Sequence, residues 1–77
     1  MKYPDGQDVR LGDTVKMWAN AEGVVVCSMD TKEFSDDFPE AEWGYLKKGV
    51  LIQSAHAGLV HYPDADNSIE LIRRKRP

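Results

Sequence analysis

Apolar and polar residues alternate in short runs along this chain, each run bounded by turn-forming residues, and a period of two predicts β-strands. In Thr14 to Trp18 (TVKMW), Val15 and Met17 fall on one face and Thr14, Lys16 and Trp18 on the other, the pattern of a strand with one wet side. Gly23 to Met29 (GVVVCSM) is β-branched and almost continuously apolar, which predicts a strand buried on both faces or central in a small sheet. Gly49 to Gln53 (GVLIQ) and Leu59 to Tyr62 (LVHY) predict two more strands. Ser68 to Ile72 (SIELI) alternates again, with Ile69 and Leu71 directed inward.

Turn chemistry separates these runs. Tyr3-Pro4-Asp5-Gly6 has proline to preset the second turn position and glycine to take positive φ, and Gly12-Asp13 makes a second turn after Val9 and Leu11. Asn20 to Gly23 reads as a hairpin connection, Ala55 to Gly58 as a turn, and Pro63 ends its strand. Between the second and third strands lies a long connection, Asp30 to Tyr45, in which Pro39 to Leu46 (PEAEWGYL) predicts one or two helical turns. Proline suits the first helical position, Glu40 and Glu42 complement the positive end of the helix dipole, and Gly44 limits the length. The fold expected is mainly β: a small barrel or half-barrel of about five or six short antiparallel strands, with one short helix in the long loop.

The opening Gly12-Asp13-Thr14-Val15, an alternating strand, and then Gly23-Val24-Val25-Val26 resembles the first hairpin of SH3-like small barrels, including their bacterial and KOW-type versions. In those domains a Gly-Asp turn leads into a strand and a second glycine lets the next strand cross tightly. The resemblance covers roughly the first third of the chain and implies an SH3-like barrel. It extends to short bacterial proteins that carry this fold without an assigned activity. The chain departs from the KOW pattern in lacking an intervening glycine and in its acidic balance, which counts against a ribosomal or RNA-binding role.

Composition bounds the rest. At 77 residues the chain makes one domain, expected over 1–72 with a basic tail at 73–77, and a fraction of 42% hydrophobic and 30% charged residues fits a folded globule. No apolar run approaches the roughly 18 residues of a membrane span, and MKYPDGQD lacks the apolar segment of a secretory signal, so the expected compartment is the cytoplasm. The single cysteine, Cys27, excludes an intramolecular disulfide. The net charge of −3 argues against general nucleic-acid binding. It also hides an asymmetry, because Arg73, Arg74, Lys75 and Arg76 are four of the ten basic residues while the middle of the chain is acidic.

No catalytic or cofactor motif is present, and no catalytic, metal or cofactor residue is assigned. Cys27 sits in an apolar strand, where free cysteine behaves as a small buried hydrophobe. His56 and His61 flank a predicted hairpin and, with Asp64, supply metal-ligand types, but at a spacing that matches no ligand pattern.

The chemistry-bearing feature is instead the stretch from Asp30 to Tyr45, with six carboxylates, one lysine and four aromatics. Phe38 and Trp43 are expected to pack down as a lid on an open barrel end. Asp30, Glu33, Phe34, Asp36, Asp37, Glu40, Glu42 and Tyr45, together with Trp18 on the wet face of its strand, make a candidate partner-binding set of aromatic anchors in a charged rim. The function these residues suggest is a non-catalytic module that binds a protein with a basic surface, in the manner of an inhibitor or immunity protein. The alternative is an SH3-like nucleic-acid-binding module acting through the basic tail, for which Lys16, Lys47 and Lys48 are too few to offset the acids. A homodimer is compatible with either.

Overall fold

The computed structural model describes residues 2–17, 21–55, 58–63 and 69–74. Six strands form one antiparallel sheet: β1 (Thr14–Lys16), β2 (Glu22–Ser28), β3 (Glu33–Phe34), β4 (Val50–Ser54), β5 (Gly58–Tyr62) and β6 (Glu70–Arg73). Between β3 and β4 lies one short helix, α1 (Glu40–Trp43), which continues as a 3-10 turn over Gly44–Leu46. The protein is therefore mainly β with a helical turn in its long loop. Among the described residues no helix is long and apolar enough to cross a membrane.

The strand order is β5-β4-β2-β1-β6, with β3 also paired to β2. β2 is the spine. One of its edges carries β4, from Gly23↔Ser54 to Ser28↔Val50; the other is shared by β1 at its start and β3 at its end. Between those two partners the edge stays occupied, because the Gly12 N–H donates to the Val25 carbonyl, the Val25 N–H to the Asp13 carbonyl, and the Ser35 N–H to the Val26 carbonyl. Pairing of backbone groups along both edges lets a strand as apolar as GVVVCS be buried with few orphaned amides.

The sheet does not close. β5 and β6 lie at opposite ends of the strand order and are not paired with each other, so the closed form of the expected barrel gives way to an open sheet. The core that closure would have completed is filled from the N-terminal segment, which contributes Tyr3 and Val9 to a cluster with Val15, Met17, Val25, Val50, Ile52 and Ile69. Val15 and Met17 face this core as alternation predicts, and Ile69 is fully buried with Leu71 packed beside it. The Gly6 N–H donates to the Tyr3 carbonyl, closing the turn read from Tyr3-Pro4-Asp5-Gly6.

Two glycines are required by close approach. A side-chain carbon at Gly23 would stand 2.6 Å from Ile52 Cγ2 and 2.9 Å from the Gln53 carbonyl oxygen, so the β2–β4 pair closes only over a bare Cα. Gly49 has φ of +83° and its missing side chain would enter the backbone of Tyr62 and Pro63.

β2 is also where the fold acquires a second layer. Its register against β4 slips between Val25 and Cys27, a bulge, and there the chain passes from the main core to a smaller cluster of Val26, Cys27, Met29 and Leu51. Phe34, Phe38, Trp43 and Leu46 cover that cluster. The aromatics of the long loop thus pack on the outer face of β2 and β4, not over the end of a barrel.

Candidate interaction surface

The acidic connection is fixed in place at its start by two carboxylates, Glu33 and Asp30. Glu33, in β3, takes bonds from Arg10 Nε at 2.8 Å, Arg10 NH2 at 3.3 Å, the Leu11 N–H at 3.4 Å and Thr31 Oγ1 at 2.6 Å. With the Arg10 guanidinium donating to it, Glu33 is held at a pKa of about 2 despite its partial burial. Its charge is committed to this chain. Asp30, in the turn after β2, accepts the Gly49 N–H at 3.1 Å and so ties that turn to the start of β4.

The remaining carboxylates of the segment behave differently. Asp36, Asp37, Glu40 and Glu42 are exposed, and among the described residues none of their side chains has an ion pair or hydrogen bond. In the same stretch of chain Tyr45 is 69% exposed and lies against Trp43, with ring centroids 6.5 Å apart and planes 26° from parallel. Trp43 in turn meets Phe38 at 5.6 Å. Phe38, Trp43 and Phe34 are half-buried, so Tyr45 is the exposed end of an aromatic stack rooted in the second cluster. The 36–45 stretch therefore presents four free carboxylates and one supported phenol ring. Trp18 lies outside the described residues.

Among the described residues the thiol of Cys27 and the imidazole of His61 make no joint site. Cys27 is fully buried, its Sγ donates to the Phe38 carbonyl at 3.3 Å, and burial pushes its thiol above the ordinary value. That is the environment of an inert structural cysteine. His61 contacts the Lys48 carbonyl oxygen at 3.0 Å through Nε2, which requires that nitrogen to carry the proton. His56 and Asp64 lie outside the described residues, and among the described residues no group of His, Cys, Asp and Glu side chains converges as a metal site.

Three features were not read from the sequence. Asp13, 1% exposed, is bonded by Tyr3 Oη at 2.6 Å and the Arg10 N–H at 3.0 Å, with Arg74 Nε 4.0 Å away. Burial, and then the bond to Asp13, hold the Tyr3 phenol far above its ordinary pKa. Arg74 also donates to the Asp8 carbonyl at 2.8 Å, and Arg73 closes β6, so the first two residues of the basic run belong to the fold. Val24 belongs to a strand expected to be buried on both faces or central in the sheet; β2 is central, and Val24 is 42% exposed because Gly23 and Val25 take the inward positions on either side of it. An apolar run carries no signal for such a register; an alternation hidden by β-branched residues on both faces is invisible until strands pair.

Comparison of the chain with models of protein families, with curated proteins and with solved structures returns no significant match to any of the three.

Proposed function

We propose that this chain is a non-catalytic interaction module, built as an SH3-like half-barrel, whose 36–45 surface binds a basic patch on another protein in the cytoplasm. The observation that carries the reading is the division of labour among carboxylates. Asp8, Asp13 and Glu33 are bonded to basic groups or the backbone of this chain, while Asp36, Asp37, Glu40 and Glu42 are exposed and free among the described residues. Free carboxylates in the same segment as a supported, exposed aromatic ring have the make-up of an interface, a ring to bury and charges that steer an oppositely charged partner. An inhibitor or immunity-type protein, blocking a positively charged site, is the most concrete form of such a module.

Affinity capture with the purified chain as bait tests it. The wild type is expected to retain a basic protein at low salt and release it at high salt, and a variant carrying Asp36→Asn, Asp37→Asn, Glu40→Gln and Glu42→Gln is expected to retain none. Equal capture by the variant, or capture of no protein at low salt, rejects the reading. Salt-sensitive binding of a labelled oligonucleotide mixture that survives the four substitutions would favour nucleic acid instead.

A further inference from the structure

Among the described residues the outer face of the sheet is only half covered: the loop aromatics occupy the half over Val26, Cys27 and Leu51, and no described residue of the loop packs over the other half. Register across the sheet sets Leu59 beside Gln53, Gln53 beside Val24, Val24 beside Thr14, and Thr14 beside Arg73. This row crosses five strands, about 19 Å at the usual spacing between strands. Its apolar members are exposed, Leu59 by 41% and Val24 by 42%.

Two grooves flank Val24 and share it as a wall. One, of about 400 Å³, runs along Thr14, Glu22, Gln53 and Arg73. The other, of about 510 Å³, lies between the sheet and the covering loop, lined by Leu11, Val26, Phe34 and Asp36. The side chains of Leu11, Val24, Val25, Val26 and Phe34 line it together with polar backbone, Ser35 and Asp36, and Asp36 is free among the described residues. Among the described residues the first groove carries one charge of each sign, Glu22 and Arg73, and the second carries negative charge only. An occupant that crosses Val24 into the second groove therefore meets the apolar side chains of Val24, Val26 and Phe34 beside one acidic residue, Asp36.

We infer that this trough seats an extended segment of a partner protein in which an apolar side chain lies on Val24 and a neighbouring Lys or Arg reaches Asp36. The inference rests on the reading above and adds to it: the acidic loop is one bank of the site, and the uncovered sheet face is its floor. Charge selects the basic residue, and burial of Val24 with Phe34 and Leu11 selects an apolar neighbour.

Fluorescence anisotropy with labelled short peptides tests it. The probes are a lysine/valine peptide, a lysine/serine peptide of equal charge and a glutamate/valine peptide of equal apolar content. The lysine/valine peptide is expected to bind about 10-fold tighter than either of the others, and Val24→Ser to abolish that advantage while Val24→Ile preserves it. Val24 is an exposed strand position, and an unchanged circular dichroism melt confirms that each variant folds. Equal binding of the lysine/valine and lysine/serine peptides overturns the trough while leaving the acidic-surface reading intact. Equal binding of the glutamate/valine peptide, full binding to Val24→Ser, or no binding of the lysine/valine peptide also overturns it.

Discussion

Asp13 is a carboxylate at 1% exposure, a position tolerable only because every approach to it is occupied. Tyr3 Oη and the Arg10 N–H donate to the same oxygen, Oδ2, and Arg74 stands off the other. Tyr3→Phe removes the shortest of these bonds and leaves the charge in place, so it is expected to cost about 1–3 kcal/mol in urea unfolding. A change below about 0.5 kcal/mol would mean that Arg10 and Arg74 suffice. Glu33 makes a pH-dependent contribution of the opposite accessibility. Its folded pKa of about 2 lies below the ordinary 4.5, so the folded state binds its proton less readily than the unfolded chain does. The stability it supplies is complete above about pH 4.5 and is lost as pH falls toward 2. The pair is partly solvated, with side-chain exposures of 49% for Arg10 and 27% for Glu33, so the contribution is expected to be about 1 kcal/mol. Urea midpoints of wild type and Glu33→Gln should differ at pH 7 and converge near pH 2; a constant gap would place the effect elsewhere.

At the scale of elements, β3 and α1 form a flap that shelters the second cluster, while the main core is shared by β1, β2, β4, β5, β6 and the N-terminal segment. Two clusters joined through β2 need not open together. Trp43→Ala is expected to loosen the flap and leave the main core folded. The reporter is Cys27, buried under that flap: its labelling by a thiol reagent should accelerate at least about tenfold in the variant, with little change in the urea midpoint of the sheet. Labelling that stays as slow as in the wild type would show that the cluster is sealed without Trp43. The strands of the main core were legible beforehand because Val15/Met17 and Ile69/Leu71 alternate and because glycine and proline mark their ends. β3 was not, for a physical reason. The tight connection from β2 into β3 uses Lys32 at φ of +56°, and the turn out of α1 uses Lys47 at +67°, positions where Gly or Asn would have announced a turn. The open sheet was hidden as well, since no local pattern records whether Tyr3 and Val9 or a strand pairing completes the core.

At the scale of the whole molecule, charge divides into a part that holds the fold and a part that does not. Arg10–Glu33 ties the N-terminal segment to β3, Arg74 with Asp13 ties the end of β6 to that segment, and Lys2–Asp8 closes the segment on itself. The candidate surface was legible in the sequence as a density of acids, but not this division, because Glu33 finds Arg10 across 23 positions of chain while Asp36 and Asp37, equally acidic neighbours, find nothing among the described residues. Stability and association should therefore separate. Replacing Asp36 and Asp37 by Asn and Glu40 and Glu42 by Gln removes four negative charges and takes the net charge from −3 to +1. Exposed, unpaired side chains of this kind ordinarily shift stability by no more than about 0.5 kcal/mol, and relief of mutual repulsion acts in the stabilising direction. The quadruple variant is expected to unfold at the wild-type urea midpoint or slightly above it, while the salt-sensitive component of its association with a basic protein disappears. Were it instead to lose as much stability as Glu33→Gln, these carboxylates would be holding the loop, and the surface they form would be scaffold and not the means by which the chain meets a partner.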